Sequence, residues 1–304
     1  MMPRKQTLLH AVYTILLAVF LASPAFSLAA DKALDTAAIE RLTGSKGELN
    51  EKEDVFTVRV PRTDLNVRAA GVHLTPPLGL TSWAAFQQAG DQTMVMGDMV
   101  LLEDQVNPVM SVALENGLAV TALHNHFFWD TPKVMFMHIG GMGDTATLAG
   151  GVGKVFATIK DTSGGKGETP RADISPAQTS LNPKIIEDIL SVKGQLASGV
   201  YKVTIGRTTQ MDGHAVGTAM GVNTWAAFAG SDEQAVVDGD FAMLEPELQS
   251  VLKALRGAGI HIVAIHNHMT MESPRIVFLH YWGVGSTREL ANGLKAALDT
   301  QHRS

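Results

Sequence analysis

The chain predicts an α+β fold of two tandem homologous modules, each a mainly antiparallel sheet with helices on one face. Three observations predict it. Shifted by 142 positions, the segment from Trp83 to Gly143 aligns without a gap on the segment from Trp225 to Gly285, with 21 of 61 positions identical. Apolar residues alternate in some stretches and recur at three- and four-residue spacing in others, the signatures of strands and helices. In each copy these stretches run in the order β-(β)-α-β-β-α, the pattern of split βαβ folds. Duplicated units of this kind are expected to pack about a pseudo-two-fold axis, mimicking a homodimer.

Taken in chain order, the first segment is a leader. MMPRKQTLLH carries Arg4 and Lys5 and no acid, AVYTILLAVFLA is almost wholly apolar, and SPAFSLAA supplies small residues. That order predicts a secretory signal over residues 1–29. Its apolar run is well short of the ~20 residues a membrane-spanning helix needs. The mature protein is therefore expected in the periplasm or outside the cell, with no stable membrane span after cleavage.

The first module is expected over residues 35–160. VFTVRV, from Val55, alternates and is β-branched, a strand. MVMGDMVLL, from Met94, reads as another, with Gly97-Asp98 marking a bulge or turn. Val106, Val109, Met110, Ala113 and Leu114 then form the stripe of an amphipathic helix, stopped by Gly117. VTALHNH and VMFMHIGG follow as strands joined by FFWDTP, and a last helix begins at Asp144. WAAF, at Trp83 and again at Trp225, reads as core packing. Residues 161–182, rich in Gly, Pro, Ser and charge, predict a linker.

The second module, 183–300, repeats the plan. VYKVTIGR at Val200 resembles VFTVRVPR at Val55. Leu248, Val251, Leu252 and Leu255 restate the helical stripe, with Pro246 ahead of it and Gly259 as its stop. Ser286-Thr-Arg-Glu289 fits a capping box, with Leu290, Leu294 and Leu298 on the buried face of the final helix.

Charge narrows the partners. Without the leader the chain holds 22 bases against 30 acids, a formal charge of −8. An acidic protein is a poor nucleic-acid binder, because affinity there comes mostly from neutralising phosphates; the tripeptide His-Asn-His is accordingly not read as a nuclease motif. With no cysteine, the chain has neither disulfides nor thiolate ligands.

The chemistry-bearing residues lie in the strongest part of the repeat. His124, His126 and His138 recur as His266, His268 and His280, six of the chain's 11 histidines. Residues two apart on a strand face the same way. If the two strands pair as a hairpin around Thr131-Pro132, His138 is expected opposite His124 or His126. Three imidazoles on a rigid sheet suit Zn²⁺ or Cu²⁺ with one position open. Asp130 and Glu272 match beside them, as a general base towards bound water or an extra ligand. Asn125 and Asn267 are supporting hydrogen-bond partners. Glu103 and Glu245 also match, either as supporting groups or as acids favoured at a helix N-terminus. A metal-dependent enzyme and a metal-binding protein both fit these residues. The alternative is a metal-free envelope protein whose histidines hold a small-molecule or cell-wall ligand, or are structural.

The runs GDMVLLEDQVNPVMSVALENGLAVTALHNH and GDFAMLEPELQSVLKALRGAGIHIVAIHNH resemble the LppY/LpqO family of exported bacterial proteins. PKVMFMHIGGMGD and PRIVFLHYWGVGS fit the same pattern. The resemblance implies export and a repeated domain and carries no activity. Mycobacterial members are lipoproteins, whereas this chain has no cysteine for a lipid anchor. The metal site is read from the residues and not from the family.

Overall fold

Twelve strands form one sheet that runs through both copies. The computed structural model describes residues 33–301; the expected secretory signal lies outside them. The first copy supplies β1 (Gly47–Asn50), β2 (Val55–Pro61), β3 (Thr81–Ala89), β4 (Gln92–Leu102), β5 (Ala119–His124) and β6 (Val134–Gly143). The second supplies β7 (Gln195–Ala197), β8 (Val200–Gly206), β9 (Asn223–Gly230), β10 (Ala235–Leu244), β11 (His261–His266) and β12 (Ile276–Gly285). Across the sheet they run β1-β2-β3-β4-β6-β5-β11-β12-β10-β9-β8-β7, every neighbouring pair antiparallel.

That order is the same read from either end, and its centre is a pseudo-two-fold axis. At the join of β5 and β11, Leu123 pairs with Ile265, its own equivalent in the 142-residue repeat. Both strands bulge just before this point, between Val120 and Ala122 and between Ile262 and Ala264. Side-chain amides complete the hydrogen bonding there. Asn107 Oδ1 accepts from the Ile262 N–H at 2.7 Å and Nδ2 donates to the Ile262 carbonyl at 3.1 Å. Its equivalent, Gln249, makes the same pair of bonds to Val120 at 2.9 and 2.8 Å. Buried backbone groups must find partners, and here each copy supplies them for the other.

Among the described residues six α-helices, α1 (Thr36–Thr43), α2 (Val106–Glu115), α3 (Thr145–Asp161), α4 (Pro183–Leu190), α5 (Leu248–Gly257) and α6 (Thr287–Asp299), contribute to one core shared by both copies. Val95, Met99 and Leu101 of β4 and Met137 and Ile139 of β6 face it, against Val109, Met110 and Ala113 of α2. Each of these side chains other than Ala113 stabilises the fold by about 1.5–3 kcal/mol on burial. Asp144 and Ser286 cap α3 and α6, the latter through the expected capping box with Glu289. By alternation, Asp98 and Val100 of β4 and Phe136 and His138 of β6 face the opposite side. There Val100 and Phe136 join a smaller cluster with Val67, Leu74 and Leu80, mirrored in the second copy by Val216, Val222, Ala242, Ile276 and Phe278.

Four details differ from the sequence expectation. β4 runs straight through Gly97-Asp98 with no bulge or turn, its register unbroken on both sides. Helices α1 and α4 precede the first strand of each copy; at eight residues they are too short for a clear periodic signal. WAAF lies on β3 and β9, where Ala84 and Phe86 are buried and Trp83 and Ala85 are partly exposed; the small alanines hide that alternation. The β5–β6 register also lies two residues from the nearest expected one. His138 pairs with Ala122, and His124 with Phe136. The connection is an arch and not a tight hairpin: its Asp130–Thr131 stretch pairs with Arg68–Ala69, and the Asp130 carboxylate receives the Val134 N–H at 2.8 Å.

Candidate metal centre

In each copy three adjacent strands bring one carboxylate and the histidines together on the face away from the helices. Asp98 of β4 pairs directly with His138 of β6, and His124 stands one residue past Ala122 at the end of β5. The offset places His138 diagonal to His124, and their Nε2 atoms meet at 3.0 Å. His126 lies just beyond the strand. Its ring stacks on Phe136, centroids 3.4 Å apart and planes within 4°, and lies 5.1 Å from the His124 ring.

The second copy repeats the framework with a different pairing of nitrogens. Asp240 pairs with His280 on neighbouring strands, and His268 stacks on Phe278 at 3.5 Å. Here His266 and His268 bring their Nε2 atoms to 3.2 Å, and Asp240 Oδ2 lies 3.0 Å from His268 and 3.9 Å from His266. One ligand atom from each of these three residues falls within 4.8 Å of the others. The His280 Nδ1 stands 4.0 Å from Asp240 Oδ1 and 3.3 Å from the Gly239 carbonyl. With Zn–N bonds of about 2.0–2.1 Å, two nitrogens of a tetrahedral shell stand about 3.3 Å apart. The His266–His268 spacing suits two positions of such a shell, with Asp240 beside them and His280 outside that group of three.

Electrostatics set these groups apart from ordinary structural ones. Asp98 is 7% exposed and Asp240 2%, and Oδ1 of each is buried without a hydrogen-bond partner, as is Nδ1 of His266. Burial raises both carboxyls above the ordinary range, partly offset by His138, His126 and His124 around Asp98 and by His280 and His268 around Asp240. Burial, then His280 and His268, push His266 down to about 4. Burial likewise lowers His126. Neutral imidazole is the form that ligates a cation, and an unpaired buried carboxylate is costly unless a cation compensates it.

The other candidates from the sequence occupy different places. Asp130 Oδ1 holds Lys133 at 2.7 Å and Oδ2 the Val134 amide. Burial would raise its pKa, but these bonds hold it below the usual carboxylate range. Glu272 is also buried and accepts from the Ile276 amide at 3.2 Å. Both thus tie down the arch. Asn125 donates to the Phe127 carbonyl at 2.8 Å, while Asn267 lines a cavity of about 340 Å³ with His266, Glu245 and Arg275. Glu103 and Glu245 each open a short 3₁₀ turn ahead of α2 and α5.

Sequence reasoning missed Asp98 and Asp240. Their signal was the Gly-Asp pair kept at the same register in the middle of an apolar strand. The glycine is explained by close approach: a Cβ at Gly97 would lie 2.7 Å from the Trp83 carbonyl oxygen and 3.1 Å from Ile139. The aspartate, facing the other way, has the histidines for neighbours.

No curated protein matches the chain. A solved structure, that of the trimeric bacterial microcompartment shell protein PduB, matches 84% of this chain and 89% of its own at 11% identity; its TM-score of 0.20 is too low to bear on the fold. A family match covers most of the described residues, once in each copy. With residues 37–158 and 184–300 matched, the chain belongs to the family described as Domain of Unknown Function (DUF1259).

Proposed function

We propose that the protein is an exported metal-binding protein holding one transition-metal ion, zinc or copper, in each copy. The ligands are Asp98, His124, His126 and His138 in the first copy and Asp240, His266, His268 and His280 in the second. The observation that carries this reading is the convergence of Asp240, His266 and His268 on a carboxylate that is buried and has an oxygen without a partner. A nitrogen-and-oxygen donor set without thiolate suits Zn²⁺ and Cu²⁺. Export rests on the leader-like first segment and on the resemblance to the exported LppY/LpqO proteins. Among the described residues no helix is long and apolar enough to cross a membrane.

Binding is favoured over water activation by what surrounds the ligands. A catalytic ion needs an open position and a nearby base. The proposed set of three histidines and an aspartate already supplies four protein ligands, and the carboxylates of Asp130 and Glu272 are engaged by Lys133 and by backbone amides. The test is elemental analysis of the untagged protein, purified from the periplasm of an expressing cell, beside a His124/His126/His138→Ala variant. Near two metals per chain, falling to one in the variant, supports the reading. Failure of the wild type to retain added Zn²⁺ or Cu²⁺ refutes it and leaves the histidines to a metal-free polar ligand.

A further inference from the structure

The two candidate sites are neighbours on one face. Leu123 and Ile265 pair at the pseudo-two-fold axis and both point into the core on the helix side. The next residues, His124 and His266, therefore both point to the open side. Continuing the antiparallel register by one residue sets Ala122 beside His266 and Ala264 beside His124. The rows Asp98–His138–Ala122–His266 and Asp240–His280–Ala264–His124 then cross the axis in opposite directions. His124 and His266 sit on adjacent strands two residues out of step, which separates their Cα atoms by about 8 Å. The centres of the two histidine groups fall about 10–15 Å apart.

The floor between them is low. Ala122 and Ala264 are equivalent in the repeat, and both are partly exposed. No side chain longer than a methyl group stands between the two groups in either row. The clusters around Val67 and Leu80 and around Val216 and Val222 lie on the same face as this floor. At its two ends lie the buried, unpartnered Oδ1 atoms of Asp98 and Asp240. With a divalent ion in place, three neutral histidines and one carboxylate give each metal group one net positive charge; in the second copy Asp238 also acts on His280, and Lys202 beside it offsets its charge.

We infer that the two sites work as one composite site, taking an elongate dianion with a carboxylate or phosphate group at each end. This rests on the metal reading above. Each end of the ligand is held by the net positive charge of one metal site, outside its four protein ligands, and its body lies over Ala122 and Ala264. Joining two weak contacts in one molecule raises affinity without any new contact, provided the spacer matches the span.

The test uses the full mature chain loaded with Cu²⁺. Continuous-wave EPR of the doubly loaded protein is expected to show dipolar broadening that vanishes in the singly loaded His124/His126/His138→Ala variant. α,ω-Dicarboxylates and α,ω-bisphosphates of graded length are then titrated against the matching monoanions. One length should bind about 100-fold tighter than its monoanion, and whichever series shows that optimum identifies the end group. Ala264→Phe, which leaves every ligand in place, should keep both coppers and lose that advantage. Two retained coppers with magnetically isolated spectra, or affinities that ignore length in both series, overturn the inference alone. No retained copper overturns the metal reading and the inference with it.

Discussion

Replacing Asp98 by Asn should move stability in opposite directions with and without metal. In the metal-free protein the Asp98 carboxylate is 7% exposed, and its Oδ1 has no partner. Burial already drives its pKa upward, so the folded state disfavours the charge. A buried polar group left unpaired costs about 1–3 kcal/mol. Asn keeps the shape and removes the charge, so a gain of about 1 kcal/mol is expected in chelator. For a chain of this size that corresponds to a rise in Tm of about 2–4 °C. In excess Zn²⁺ the order should reverse. A site filled at 100 times its Kd adds about 2.7 kcal/mol to the folded state. If losing the carboxylate weakens binding about 100-fold, that contribution falls to a few tenths of a kcal/mol. The variant should then melt below the wild type. Thermal melts in EDTA and in Zn²⁺ decide the matter. A variant less stable in EDTA and indifferent to Zn²⁺ would show that Asp98 is a structural acceptor and refute the argument.

Three further outcomes follow from the geometry. An imidazole ordinarily titrates near pH 6.5, and His266 is pushed down to about 4. Between these values the unfolded chain binds a proton that the folded one excludes, so metal-free stability should fall as the pH drops through that window. The loss is about 2 kcal/mol once solvent screening of the 28% exposed side chain is allowed for; denaturant melts across the window should show it, and His266→Gln should flatten the slope. Gly97→Ala should cost about 1–3 kcal/mol by overpacking against Trp83 and Ile139; an unchanged urea midpoint would mean the strand shifts freely there. Asn107→Ala strips partners from both backbone groups of Ile262 and should cost about 2–4 kcal/mol. Faster amide exchange at Ile262 than in the core of β12 would be its local signature, and unchanged exchange would argue against the amide clasp.

Much of this molecule was legible in the chain, for identifiable reasons. The duplication was visible because 21 identities fall at one offset. The stripe from Val106 to Leu114, the stop at Gly117 and the cap at Ser286 are local signals, set by residues a turn apart, and they appear where expected. The three histidines of each copy stood out because their spacing was held while the residues between them drifted. None of those signals depends on a distant residue.

The carboxylate partner was different. Asp98 lies 26 residues before His124, and nothing in a one-dimensional reading links them. Asp130, a few residues from the same histidines, was the nearer candidate by sequence, but its oxygens are held by Lys133 and the Val134 amide. Strand order makes the connection, because β4 is the neighbour of β6 and delivers Asp98 beside His138.

By itself, then, the sequence determined the repeat, the class of fold and the histidine set, since periodicity and duplication are written along the chain. Only the tertiary structure decided which carboxylate joins the histidines and that the two copies share one sheet. It also decided that both candidate sites lie on the same face. Those outcomes depend on which strands become neighbours and in what register, and a two-residue slip, as between the expected and observed pairing of His138, changes every cross-strand contact.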